Sequence, residues 1–184
     1  GGFLSSMPFE MMKWIPEFDI GVIGEAYHTW PDVLEEYQRG KNWSRIKGLV
    51  YREGKKVKLS GMRPLLTEEE MDDDIPWPDY ELAPVERYLQ FSALPFSPES
   101  SGMTLLNLQE PLRRLDIRAS LGCAWNCLFC FHVSGSPSQQ CKLYGKKVAG
   151  KPFRHNSPKY VVDLIDDLRR RYGVNFVSFI DENF

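Results

Sequence analysis

Cysteine is scarce in this sequence, four in 184 residues, and three of the four fall within one short stretch: Cys123, Cys127 and Cys130. A disulfide scaffold would spread its cysteines along a small secreted chain. The clustering therefore speaks against that class and for metal ligation in a reducing, cytoplasmic setting. Excess charge of one sign is missing as well. The 23 Lys and Arg against 25 Asp and Glu leave a net charge of −2, which gives no nucleic-acid-coating surface and no polybasic membrane patch. The one long uncharged run, residues 119–141, carries Asn126, His132, Pro137, Gln139 and Gln140 and is no membrane span. The opening Gly1-Gly2-Phe3-Leu4 has neither an initiator Met nor a signal-peptide layout, and reads as part of something longer. What is present is ordinary globular material: 42% hydrophobic, 13% aromatic and 26% charged residues, enough for one domain or two small ones.

The chain divides by texture into residues 1–60, 61–110 and 111–184. In the first stretch Asp19-Ile-Gly-Val-Ile-Gly24 is a short apolar run ending in glycine, the pattern of a buried parallel strand with its active loop just beyond. Thr29 is placed to cap a helix through Tyr37, with Pro31 in the first turn, Val33, Leu34 and Tyr37 as its apolar face and Gly40 as its stop. Residues 47–52 and 55–59, joined through Glu53-Gly54, predict a hairpin. The second stretch holds Pro64, Pro76, Pro78, Pro84, Pro95 and Pro98 beside the acidic run 68–74, too much proline for a regular core element. It reads as an ordered connector anchored by Trp77, Tyr80 and Tyr88.

The third stretch resumes an α/β pattern. Leu115, Ile117 and Ala119 alternate with Asp116 and Arg118 in a strand that runs straight into Gly122-Cys123. Ser157-Pro158 starts a helix with an apolar stripe of Val161, Val162, Ile165, Leu168 and Tyr172, stopped by Gly173. Arg154 and His155, just before it, are read as solvated loop residues. Residues 174–180 form a second strand closing on Asp181-Glu-Asn-Phe184. Strand, long loop, helix and strand make a βαβ unit, whose ligand site lies beyond the carboxyl ends of the strands.

Cys123-Ala-Trp-Asn-Cys127-Leu-Phe-Cys130 has the spacing C-x3-C-x2-C. Three thiolates on one tight loop can hold three corners of a cubane iron–sulfur cluster and leave the fourth iron open to a substrate. Two other readings of the same residues are zinc bound by the three cysteines with His132 or Cys141, and unmetallated thiols. The zinc reading makes the chain a zinc-stabilised binding module.

The C-x3-C-x-aromatic-C motif, with Phe129 in the aromatic slot, resembles the signature of radical S-adenosylmethionine (SAM) enzymes. Gly122, Ser157-Pro158, Tyr172-Gly173-Val174 and Asp181-Glu-Asn-Phe184 look like the subgroup with an N-terminal cobalamin-binding domain. Upstream, Gly1-Gly2 resembles the last cobalamin-domain signature, and Gly24-Glu25-Ala26-Tyr27 stands where that subgroup usually has Gly-Glu-Gly-Glu. The resemblance covers nearly the whole chain.

What the resemblance implies is an α/β architecture: the C-terminal part of a Rossmann-like cobalamin-binding domain (1–60), a proline-rich connector (61–110), and the first β-α-β of a partial (β/α) TIM-like barrel (111–184). Cys123, Cys127 and Cys130 would ligate a 4Fe-4S cluster. Phe129, Asp181, Glu182 and Asn183 would contact SAM, and Gly1, Gly2, Gly24 and Glu25 would contact cobalamin. The implied reaction is reductive cleavage of SAM to a 5′-deoxyadenosyl radical, with cobalamin-dependent methyl transfer to an unactivated carbon. The alternative is a radical enzyme with a degenerate cobalamin domain doing cyclisation or oxidative chemistry. Implied partners are a small-molecule, natural-product or lipid-like substrate and an electron donor such as flavodoxin or ferredoxin. A barrel of two strands cannot close, so this piece alone is expected to be inactive and, through its open strand edge, prone to aggregate.

Overall fold

The computed structural model describes residues 3–91, 112–125, 127, 145 and 150–181. Two short helices, α1 (Phe3–Ser6) and α2 (Pro8–Trp14), lead into β1 (Ile20–Val22), α3 (Thr29–Arg39) and the hairpin β2 (Leu49–Glu53) and β3 (Lys56–Leu59). The three strands form one sheet in the order β1-β2-β3. Successive residues of β2 serve opposite faces, as the pleat requires. Leu49 and Tyr51 pack with Val33 and Ile46, while Val50 packs with Met12, Ile23 and Leu4. Helices thus cover both faces, which is why Leu49-Val50-Tyr51 is an unbroken apolar run.

The hairpin through Glu53-Gly54 is as the sequence predicts. Strand direction is not. β1 pairs antiparallel to β2, with Ile20 opposite Tyr51 and Val22 opposite Leu49. An apolar run reports burial on two faces and says nothing of the neighbour's direction. Here the chain returns through Gly48, whose φ of +81° turns it in beside the exit of β1, where Ile23 N donates to Gly48 O at 2.8 Å. Thr29 is not a cap either. His28 precedes the helix without a side-chain cap, and Thr29 is fully buried one residue inside it. Val33 and Glu36 turn inward, whereas Leu34 and Tyr37 are exposed.

The proline-rich stretch holds more regular structure than its composition suggests. It contains α4 (Glu68–Asp73), a 3-10 turn (Tyr80–Leu82) and α5 (Val85–Phe91), and it buries Leu65, Leu66, Met71, Val85 and Leu89. The prolines flank these elements instead of interrupting them, and Thr67 with Glu70 closes a capping box on α4. Trp77 and Tyr80 are anchors, edge-on to Tyr160 and Tyr172 with ring centroids 6.1 and 6.0 Å apart. Tyr88 is exposed among the described residues. Pro95 and Pro98 lie outside the described residues.

β4 (Arg114–Ile117) and β7 (Phe176–Phe179) pair in parallel and are joined by α6 (Pro158–Tyr172), the predicted βαβ unit. Ser157 caps α6 by accepting from Tyr160 N at 3.1 Å, and Gly173 ends it in the left-handed region at φ +62°. Leu164 and Leu168 are the buried residues of the helix and meet Ile117, Val174, Val85 and Leu89, while Val162 faces outward. The strand expected to run from Leu115 into Gly122 breaks at Arg118-Ala119 and restarts as β5 (Ser120–Leu121). β5 pairs antiparallel with β6 (Arg154–His155). Among the described residues no helix is long and apolar enough to cross a membrane. The molecule is mixed α/β, with its parallel pair and the β5–β6 pair side by side.

Candidate metal centre

In sequence, the cysteine-bearing segment is flanked by β5 and β6, which pair with each other. Ser120 stands opposite His155 and Leu121 opposite Arg154, and Asn156 N donates to Ala119 O at 2.8 Å. Gly122 follows at φ +79°, a conformation that suits glycine, and a Cβ there would overlap the carbonyl oxygen of Pro152. Cys123 comes next, half-buried, and its Sγ accepts from Trp125 N at 3.4 Å. Cys127 is exposed, and neither thiol is in a disulfide. Cys130 and Phe129 lie outside the described residues, as do His132 and Cys141. The two described thiols fit an iron–sulfur or zinc centre: soft donors on one short loop, unconsumed by a disulfide, with a backbone N–H already directed at one sulfur.

The surroundings of that loop are tied down by charge. Asp181, at the end of β7, accepts from Ala119 N with both carboxylate oxygens at 3.1 Å, and from the Ser120 hydroxyl. These bonds lie at the break between β4 and β5. On the other side Asp72 of α4 accepts from Asn156 Nδ2 at 3.0 Å and from Ser157 N at 3.1 Å, which fixes the entry to α6. Burial pushes the Asp72 carboxyl up, but the hydrogen bonds from Ser157 and Asn156 outweigh it and hold the group below the usual carboxylate range.

Arg154 and Glu25 complete the frame. Arg154 is 1% exposed, not solvated as its sequence context suggests. Its Nη1 and Nη2 donate to the two oxygens of Glu25 at 3.0 and 2.6 Å, and Nη1 also donates to Leu66 O at 3.0 Å. Glu25 Oε2 in turn accepts from Leu66 N at 3.0 Å. Gly24 N donates to Ser5 Oγ at 3.0 Å. The two residues expected at a cobalamin contact are thus engaged within the fold, and Gly1 and Gly2 lie outside the described residues. Glu182 and Asn183 do as well.

A cavity of about 370 Å³ opens at the carboxyl ends of β4 and β7, lined among others by Tyr27, Ile117, Arg118, Leu121, Tyr160 and Ile180. Ligand sites of parallel α/β units lie at this edge. The Arg118 guanidinium donates to the Tyr27 hydroxyl and sits 5.9 Å from the ring centre. Burial raises the Tyr160 hydroxyl above its ordinary range. A second set of donors, His28, Glu70 and Asp74, has ligand atoms within 4.8 Å of one another. Glu70 is already spent on the α4 cap, its carboxyl held low by the Thr67 backbone N–H, and His28 Nε2 stands 3.8 Å away.

Sequence reasoning missed Arg154, Asp72 and the Tyr27–Arg118 contact. No local signal marks any of them, because each partner is distant in the chain.

No protein-family model matches the chain. It is 28% identical over 184 residues, its whole length, to the uncharacterised methyltransferase PH0819 of Pyrococcus horikoshii, and spans 32% of that relative. The cobalamin-dependent S-adenosylmethionine radical enzyme OxsB, solved with aqua-cobalamin and SAM bound, superposes over 100% of this chain and 20% of its own at a TM-score of 0.64 and 17% identity. The radical S-adenosylmethionine methyltransferase TsrM from Kitasatospora setae, solved with a tryptophan substrate and a SAM analogue, covers 97% of this chain and 28% of its own, with a TM-score of 0.59 and 14% identity. The chain therefore has the fold found in the matching stretch of cobalamin-dependent S-adenosylmethionine radical enzymes.

Proposed function

We propose that this chain is part of a radical SAM enzyme in which Cys123, Cys127 and Cys130 hold a 4Fe-4S cluster, with methyl transfer to an unactivated carbon through cobalamin. The observation that carries the reading is the C-x3-C-x2-C segment opening directly from β5, beside the carboxyl ends of a parallel strand pair. In this reading residues 1–60 are the end of a Rossmann-like cobalamin-binding domain, 61–110 a connector and 111–184 the first β-α-β of a TIM-like barrel. When bound and reduced by one electron, the cluster supplies cleavage of the sulfonium C5′–S bond of SAM, leaving methionine and a 5′-deoxyadenosyl radical.

The chain's own residues bind, orient and shield. The three cysteines would hold the cluster with one iron left open to SAM, and Phe129 would contact the adenine. Asp181 holds the Ala119-Ser120 corner, and Glu182 or Asn183 would accept from the methionyl ammonium. A flavodoxin or ferredoxin supplies the electron, and the cytoplasm suits the cluster. The test is anaerobic incubation of the intact protein with SAM and a reductant. Release of 5′-deoxyadenosine with methionine supports the reading, and neither product above a cluster-free control overturns it.

A second reading has its own support. Gly24 N and both oxygens of Glu25 are engaged within the fold, which favours a cobalamin domain that makes no cofactor contact through this loop; the chemistry in that reading is cyclisation or oxidation. Titration of the intact protein with hydroxocobalamin separates the two: stoichiometric uptake supports methyl transfer, and no uptake supports the second.

A further inference from the structure

Arg154 is the most deeply buried charged side chain among the described residues, and its partner Glu25 is 10% exposed. Their fork-to-fork contact joins three stretches far apart in sequence. Glu25 lies in the turn between β1 and α3, Leu66 in the connector, and Arg154 in β6, and the pair takes both the N–H and the C=O of Leu66. The third guanidinium nitrogen, Nε, is buried without a partner among the described residues. The same Nη2 that donates to Glu25 lies close to the residue before the first cysteine: a Cβ on Gly122 would come within 3.1 Å of it. Arg154 also faces Leu121 across the β5–β6 pair.

We infer that Glu25 and Arg154 are a positioning couple that seats the Gly122-Cys123 corner against the N-terminal sheet. This rests on the reading that the cysteines hold a cluster. A buried ion pair adds little net stability over apolar residues of equal volume, because desolvation offsets its attraction. What it adds is direction. A bidentate guanidinium–carboxylate contact fixes two atoms against two atoms in one plane, and a hydrophobic contact does not. The corner that presents Cys123 is thereby referenced to the β1–α3 turn. Glu25, which the sequence offers as a cobalamin contact, works as a latch on the thiolate loop.

The experiment uses the intact protein, reconstituted anaerobically with iron and sulfide, and compares wild type with Glu25→Leu/Arg154→Met and Arg154→Lys. The double variant removes both buried charges at once but leaves the Leu66 N–H and C=O without their side-chain partners, so it melts below wild type and is compared at a temperature where both are folded. There its iron is lost to a chelator about 10-fold faster, the size of effect that removing an outer-shell partner has on metal affinity. Its reduced-cluster electron paramagnetic resonance signal also shifts less on adding SAM. Should the double variant not fold, Arg154→Lys keeps the charge without the fork and carries the same expectation. A folded variant with wild-type iron retention and a wild-type SAM shift overturns the positioning role and leaves the cluster intact. A wild type that takes up no iron or sulfide removes both, so the two failures are told apart.

Discussion

Gly122→Ala is the substitution that most directly probes how the cysteine loop is founded. At φ +79° the backbone is left-handed, which costs a residue with a Cβ about 1–2 kcal/mol. The added carbon would also overlap the carbonyl oxygen of Pro152, which is main chain and cannot rotate away. Accommodating it means shifting Pro152 against the β5–β6 pair, an overpacking cost of about 1–3 kcal/mol. Together the loss is about 2–5 kcal/mol. Gly54→Ala supplies the control. Gly54 has φ +60° in the β2–β3 turn and nothing within 4 Å of its would-be Cβ, so only the conformational part, about 1–2 kcal/mol, applies there. At about 2–4 °C per kcal/mol for a chain of this size, Gly122→Ala melts several degrees below Gly54→Ala by circular dichroism. Equal midpoints for the two variants would refute the claim that Gly122 is packed onto Pro152.

Removing the α6 cap with Ser157→Ala lowers stability by about 1 kcal/mol, read as a drop in urea midpoint. An unchanged midpoint would show that the Tyr160 N contact adds nothing. Leu168→Ala empties the centre of the α6 core and costs about 2–5 kcal/mol in the same assay, and a loss below that of Ser157→Ala would contradict the packing. Acid should weaken the α4–α6 joint. The Asp72 and Glu70 carboxyls lie below their ordinary range, so the folded state prefers them ionised. Their contribution is full above the unfolded carboxyl pKa of about 4 and is lost as pH falls below that through the lower folded values. The thermal midpoint therefore falls below about pH 4, and falls less steeply in Asp72→Asn. Matching slopes would contradict the assignment.

The parts legible in the sequence are those whose determinants are neighbours in the chain. Ser157, Pro158 and Gly173 bound α6 by local chemistry alone, and Glu53-Gly54 makes the hairpin in the same way. The direction of β1 was not legible, because it depends on where the chain re-enters after α3. Nor was the core content of the connector: Leu65, Leu66 and Met71 are buried by what folds over them, and proline density reports only where elements stop. The site divides similarly. Cysteine spacing is a local signal, while the frame around it is built from pairs such as Glu25 with Arg154 and Asp72 with Asn156. A single arginine ahead of a helix cap reads as solvated, as most arginines are, until its carboxylate partner is found in the turn after β1. Glu25 shows the converse: its motif was legible and its bonding was not.

The central claim is that the three cysteines hold an iron–sulfur cluster, and metal content tests it most directly. The measurement is iron, zinc and acid-labile sulfide per chain in the anaerobically reconstituted intact protein, beside Cys123→Ala/Cys127→Ala/Cys130→Ala. The account predicts about four iron and four sulfide, lost together in the triple variant. Zinc without sulfide in the wild-type protein would contradict it and leave a structural metal site on an α/β scaffold.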